Sequence, residues 1–256
     1  MICAANTDIG MKRNINQDSY ILKTFSEKTA LCVVCDGMGG AKGGEEASKI
    51  AAEAFASNVE EFILPFVGTK EKSVHVNDIR EKLIESVDKA NYAVYTYARK
   101  HPSLKGMGTT LVAVLVIEHS VFAINVGDSR MYHIKGSKIK QVTKDHSYVQ
   151  YLIDMGQLTE KEAETFPNRN VITRAVGTEE FVTPECFREG VSDGSFILLC
   201  SDGLTNFVTN EDIRDILTKD SKNMDQLTLN LRVKKLIDLA NSNGGADNIT
   251  AAVIKI

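Results

Sequence analysis

No run in this 256-residue sequence could span a bilayer: the longest apolar stretch, Leu111 to Ile117, covers 7 residues, against the roughly 20 that a membrane helix needs. The opening residues, Met1 to Asp8, carry neither the basic nor the apolar stretch of a secretory signal. Low-complexity linkers, tandem repeats and heptad arrays are absent. One domain spanning 1–256 is therefore the economical expectation, in a cytoplasmic protein that ends on its last strand with no regulatory tail. An excess of one charge is also missing. Lys and Arg number 30 against 34 Asp and Glu, a net charge of −4. The basic residues are scattered among acids, so nothing marks a surface for nucleic acid or anionic membrane.

Metal and redox signatures built on cysteine or histidine are missing as well. Cys32 and Cys35 form a C-x-x-C, but they lie in a strand-like run, where residues three apart point to opposite faces. They cannot close on one metal or disulfide and are expected to be buried thiols. His75, His101, His119, His133 and His146 show no ligand spacing. Of these, only His146 is a candidate for a functional role.

What the chain does have is a hydrophobic fraction of 43% and a charged fraction of 25%, ordinary for a globular protein. Strand patterns fall at 2–6, 19–25 and 30–35. A helix is expected after a glycine-rich turn, with Ala47, Ile50, Ala51, Ala54 and Phe55 on one stripe. A second is expected from Asn77 to Lys100, stopped by His101-Pro102. Strands at 109–117, 120–127, 129–135 and 138–142 have connections too short for parallel crossovers, so they should pair antiparallel. A mixed segment follows over 145–174, with Thr159 as an N-cap, Glu162 three residues on, and Pro167 interrupting. Strands at 182–187 and 195–200, helices at 210–218 and 223–242, and a strand at 248–255 complete the chain. Blocks of strands and helices point to antiparallel sheets with helices packed outside, an α+β fold.

Four aspartates stand at or beside strand ends. Leu31–Cys35 runs into Asp36-Gly37, Val121–Val126 into Gly127-Asp128-Ser129, and Phe196–Cys200 into Ser201-Asp202-Gly203; Gly244-Gly245-Ala246-Asp247-Asn248 opens the last strand. Any one Asp-Gly is explained as a turn dipeptide. Several carboxylates converging from rigid supports instead suit hard, oxygen-preferring cations such as Mg²⁺ or Mn²⁺. Arg13-Asn14-Ile15-Asn16-Gln17-Asp18 adds a fifth carboxylate and a planar cationic fork fit for phosphate oxygens. Gly39-Gly40-Ala41-Lys42-Gly43-Gly44 is no Walker loop, because no Ser or Thr follows Lys42. An acidic residue also precedes its glycines, which the dinucleotide fingerprint does not allow. Glycines after an aspartate can instead bring a backbone carbonyl close to a cation.

R-x-x-N-Q-D at 13–18, D-G-M-G-G at 36–40, M-G-T-T at 107–110, V-G-D-S-R at 126–130, T-K-D-H-S at 143–147, N-x-x-T-R-A-V-G at 170–177, C-S-D-G-L at 200–204 and G-G-x-D-N-I-T at 244–250 occur in this order. Together they resemble the metal-dependent Ser/Thr protein phosphatases of the PPM or type 2C family, in their compact bacterial form. The resemblance covers essentially the whole chain. It implies a four-layer αββα sandwich, two packed antiparallel sheets flanked by helices, with a metal cleft at one edge and a small flap at 145–174.

It further implies a pair of Mn²⁺ or Mg²⁺ ions bridged by Asp36. Asp202 and Asp247 would hold the first ion, and Asp18 and the Gly37 carbonyl the second, partly through water. A third, weaker ion would sit at Asp128, shared with Asp202. A water or hydroxide between the ions would be the nucleophile, with Arg13 orienting the phosphoryl group. Implied partners are proteins phosphorylated on Ser or Thr and a membrane-anchored Ser/Thr kinase encoded nearby, for a protein acting as a monomer. Elementary chemistry agrees: a phosphate dianion repels an anionic nucleophile, so its hydrolysis needs positive charge. The Cys-x5-Arg of cysteine-based phosphatases is absent. Where eukaryotic members carry D-G-H-G-G, this chain has Met38, which cannot donate a proton. That leaves a water on a metal as the expected leaving-group acid. Two alternatives remain open: an inactive phosphoprotein-binding scaffold, which the full ligand set disfavours, and a phosphatase dedicated to one regulator.

Overall fold

In the computed structural model, which describes residues 1–68, 75–163, 165–167 and 170–256, apolar strands stack into two antiparallel sheets. The strands are β1 (Ile2–Asp8), β2 (Asp18–Ser26), β3 (Thr29–Met38), β4 (Gly108–Thr109), β5 (Leu111–Ile117), β6 (Ser120–Val126), β7 (Arg130–Lys135), β8 (Lys138–Gln141), β9 (Glu185–Gly190), β10 (Phe196–Cys200) and β11 (Ile249–Lys255). The first sheet runs β1-β11-β10-β7-β8 and the second β2-β3-β5-β6-β9, with β4 paired to β3. The helices are α1 (Gly40–Ile63), α2 (Val76–Lys100), α3 (Tyr148–Asp154), α4 (Glu160–Ala163), α5 (Asp202–Thr205), α6 (Asn210–Thr218) and α7 (Gln226–Ser242).

Three apolar layers hold these elements together. Between the sheets, Cys32, Val34, Val112 and Val114 meet Met131, Ile197, Leu199, Ala252 and Ile254. On the other side of the second sheet, Leu31, Val33 and Cys35 pack under Phe55 and Val59 of α1 and Leu83 and Val87 of α2. Outside the first sheet, Leu198, Cys200 and Val253 pack under α5, α6 and α7 through Leu204, Ile213 and Leu236. The result is the expected four-layer sandwich. It also explains why the central strands are continuous apolar runs: both of their faces are buried. Cys32 and Cys35 lie on opposite faces of β3, both fully buried and free. Burial pushes both thiols well above their ordinary range.

Three differences from the sequence reading have local causes. Helix α1 begins at Gly40, so Ala41–Gly44 form its first turns and not a loop before it. The glycines serve close packing there. A Cβ on Gly37 would lie 2.0 Å from the Gly44 carbonyl oxygen, so only two glycines let helix and strand approach this closely. The strand expected at 182–187 is β9, at 185–190. Pro184 has no N–H to donate, and the ladder to β6 starts just after it, at Glu185 opposite Asn125. The strand expected at 109–117 breaks at Thr110, leaving β4 to pair with the end of β3.

In the segment at 145–174, Thr159 Oγ1 accepts the Glu162 N–H at 3.3 Å and Glu162 Oε2 accepts the Thr159 N–H at 2.9 Å, completing the expected capping box. Residues 164, 168 and 169 of that segment lie outside the described residues.

Candidate metal centre

Antiparallel pairing puts the first two carboxylates face to face. Asp18, the first residue of β2, stands directly opposite Asp36 of β3. Asp36 shares its face with Cys32 and Val34, so it points into the gap between the sheets. Like charges opposite one another destabilise a sheet, so this register is itself a sign of a counter-ion. Asp202 follows β10 as the first residue of α5, and Asp247 precedes β11. The two turns are in backbone contact, since a Cβ on Gly203 would lie 1.9 Å from the Asn248 carbonyl oxygen. Asp128 sits in the bend between β6 and β7.

A cleft of about 580 Å³ opens at this edge of the sandwich, walled in part by Arg13, Asp36, Gly37, Met38, Asp128, Asp202 and Asp247. Asp18 does not line it. That residue lies behind the wall, 7% exposed. Arg13 is half exposed at the rim, and its Nη2 donates to Asp247 Oδ2 at 2.7 Å. Its loop is pinned from below by Asn248, whose Oδ1 accepts the Gln17 N–H at 2.8 Å. The same side chain donates through Nδ2 to the carbonyls of Ile9 at 2.9 Å and Ile15 at 3.0 Å.

The carboxylates are electrostatically frustrated. Burial first, and then the charges of Asp18, Asp202, Asp128 and Asp247, hold the Asp36 carboxyl well above its ordinary range. Burial also lifts Asp18 to about 7, with Asp202 and Asp247 adding to the shift against two hydroxyl hydrogen bonds that oppose it. Asp128 is lifted to about 7 by burial and by Asp202. Asp202 is raised by burial and by Asp247. Asp18 Oδ1 and Asp202 Oδ1 are buried with no hydrogen-bond partner.

Oxygen donors alone, mutual repulsion and two bare buried oxygens fit hard divalent cations. Among the described residues no three His, Cys, Asp or Glu side chains close on one point as a ready chelate. The donors instead ring the cleft, which suits a small octahedral ion that keeps several waters.

The supports of these carboxylates carry no assigned role in the sequence reading. Thr110 Oγ1 accepts the Asp36 N–H at 2.9 Å and bonds Ser129 Oγ at 2.7 Å, linking the Asp36 strand to the Asp128 bend. Ser201 and Thr250 bond Asp18. Each lies inside one of the motifs, Thr110 in M-G-T-T, Ser129 in V-G-D-S-R, Ser201 in C-S-D-G-L and Thr250 in G-G-x-D-N-I-T, so position in the motifs was the available signal. His146 is buried and away from the cleft lining. Its Nδ1 accepts the Gly127 N–H at 3.1 Å, and its Nε2 faces Glu185 Oε1 at 3.4 Å and Arg174 Nη1 at 3.2 Å. It braces the Asp128 bend.

A helix-flanked double sheet with carboxylates and an arginine at one edge is an arrangement able to place hard cations beside an anion. The comparisons narrow this class. The family model described as protein phosphatase 2C matches residues 11–238. Protein phosphatase PhpP of Streptococcus pneumoniae is 34% identical over 250 residues, 98% of this chain and 95% of that one. The S. agalactiae serine/threonine phosphatase structure superposes with a TM-score of 0.85 at 32% identity, covering 99% of this chain and 98% of that one. The catalytic domain of serine threonine protein phosphatase PstP, solved in complex with 2 manganese ions, superposes at 0.78 with 32% identity, covering 98% and 96%. The chain belongs to the protein phosphatase 2C family.

Proposed function

We propose that the whole chain, 1–256, is one catalytic domain that hydrolyses phosphoserine and phosphothreonine in proteins by direct attack of water at a binuclear Mn²⁺ or Mg²⁺ centre. The observation that carries this is the meeting of Asp18, Asp36, Asp128, Asp202 and Asp247 beside Arg13 at one sheet edge. Asp36 would serve both ions, Asp202 and Asp247 one, and the Gly37 carbonyl with Asp18 the other. Asp128 would take a third, weaker ion with Asp202. The PstP complex with 2 manganese ions supports two ions. When bound, these cations supply the positive charge that gathers a phosphate dianion and acidifies the attacking water.

The chain's own residues do the rest. Arg13, on a loop pinned by Asn248, offers a planar donor fork to the phosphoryl oxygens at the mouth of the cleft. Kept ionised by bound cations, the aspartates would accept and not donate, so they would orient water without competing for the phosphate. The new P–O bond forms to water as the Ser or Thr oxygen leaves. Met38 lines the cleft and has no proton to give, and no histidine is among the lining residues described. A water in the cleft would then supply the alkoxide's proton. No described helix is long and apolar enough to cross a membrane. A monomer in the cytoplasm, opposing a Ser/Thr kinase, fits this reading.

The test is turnover of a phosphothreonine peptide with Mn²⁺ present. Many phosphates released per chain are expected; stoichiometric binding without release would favour the scaffold.

A further inference from the structure

Asp18 is held asymmetrically. Its Oδ2 accepts two hydroxyl hydrogen bonds, from Ser201 Oγ at 2.7 Å and Thr250 Oγ1 at 2.6 Å, while its Oδ1 is buried with no partner. Ser201 and Thr250 are fully buried and come from the opposite sheet, so the clamp reaches across the sandwich. The direction of its protons is determined by its surroundings. Asp18 N–H donates to Asn16 Oδ1 at 3.1 Å, which turns the Asn16 amide so that Nδ2 donates to Thr7 Oγ1 at 2.9 Å. Thr7 then donates to Thr250 Oγ1 at 2.7 Å, and the one Thr250 hydroxyl proton is left for Asp18. Ser201 Oγ accepts the Thr250 N–H at 3.0 Å, so its proton too is directed at Asp18. Neither hydroxyl can turn away without leaving a buried group unpaired.

We infer that Ser201 and Thr250 set the cation selectivity of the centre, by occupying one oxygen of Asp18 so that this carboxylate can serve a cation through Oδ1 alone. This rests on the metal-centre reading above. A carboxylate limited to one oxygen suits Mg²⁺ and Mn²⁺, which want six ligands in near-octahedral order. It handicaps Ca²⁺, which takes six to eight oxygens and readily uses both oxygens of a carboxylate. Ser201 and Thr250 are positioning residues: they touch neither substrate nor cation.

The test is calorimetric titration of the EDTA-stripped full chain with Mn²⁺ and, separately, Ca²⁺. The proteins are the wild type, Thr250→Val, Ser201→Ala and Thr250→Ser. Partners of metal ligands are typically worth 10- to 100-fold in affinity. The preference for Mn²⁺ over Ca²⁺ should therefore fall about tenfold in Thr250→Val and in Ser201→Ala. It should stay near wild type in Thr250→Ser, which keeps the hydroxyl. If Thr250→Val does not fold, Ser201→Ala, which deletes a single oxygen atom, decides alone. An unchanged or increased preference would overturn the inference, as would a Thr250→Ser chain that behaves like Thr250→Val. A wild type that binds neither ion would overturn the metal centre itself, and the inference with it.

Discussion

Replacing Asp18 by Asn should make the metal-free protein more stable, although the residue is buried and hydrogen-bonded. The side chain keeps its shape, and an amide oxygen can still accept from Ser201 and Thr250. What is lost is a charge that the fold disfavours. The Asp18 carboxyl is lifted from 3.8 to about 7, chiefly by burial and then by Asp202 and Asp247. At about 1.4 kcal/mol per unit, ionising it in the folded chain costs on the order of 4 kcal/mol above pH 8. Part of that is shared with Asp36, and the new amide N–H must find a partner, a cost of about 1–3 kcal/mol if it does not. A net gain of about 2 kcal/mol remains, or roughly 5 °C in melting temperature for a chain of this size.

The sign depends on pH. A carboxyl whose folded pKa is raised contributes stability at low pH, where both states hold the proton, and loses it as pH rises through the folded value. Wild type in EDTA should therefore weaken between about pH 4 and pH 8 and Asp18→Asn should weaken less; because the amide costs about 2 kcal/mol, wild type is the more stable at pH 4 and the two curves cross at about pH 5. Saturating Mn²⁺ should reverse the order, because only the wild type gains the full binding energy. Differential scanning fluorimetry across pH, with EDTA and with Mn²⁺, reads all of this. An Asn variant that is less stable than wild type at pH 8 in EDTA would refute the reasoning.

Asp36→Ala, Asp202→Ala and Asp247→Ala should each lose nearly all turnover while remaining folded, whereas Arg13→Ala should mainly raise KM; steady-state kinetics separate the two patterns. Met38→His places an imidazole in the cleft lining, and general-acid catalysis is worth about 10²–10⁴-fold. The gain should appear on phosphoserine peptides and be small on p-nitrophenyl phosphate, and equal changes on both would point to packing. Asp128→Ala should fold and keep the tighter ions, yet lose the rise in phosphopeptide turnover that the wild type shows over millimolar Mn²⁺; identical activation curves would return Asp128 to the role of a turn residue.

Much of this molecule is legible in the sequence because local patterns decide it. The stripe from Ala47 to Phe55 became the buried face of α1, and Thr159 with Glu162 became a capping box. The motif aspartates proved to share one edge because strand ends of a sandwich converge there. Less legible was anything set by contact between distant segments. Nothing local says that Asp18 stands opposite Asp36, or that Asp18 lies behind the cleft wall. The start of α1 at Gly40 depends on Gly44 meeting Gly37, and the start of β9 on Pro184. The hydroxyls of Ser201, Thr250 and Thr110 act through partners up to 243 positions away, beyond the reach of any periodicity.

The most direct measurement is phosphate release from a phosphothreonine peptide by protein stripped with EDTA and then titrated with Mn²⁺ or Mg²⁺, with and without prior thiol alkylation. Activity should be absent after stripping, return as either ion is added, and be indifferent to alkylation, since Cys32, Cys35 and Cys200 are fully buried and the half-buried Cys3 and Cys186 do not line the cleft. Full activity in the stripped protein, or its loss on alkylation, would contradict a carboxylate-held metal centre as the seat of the chemistry.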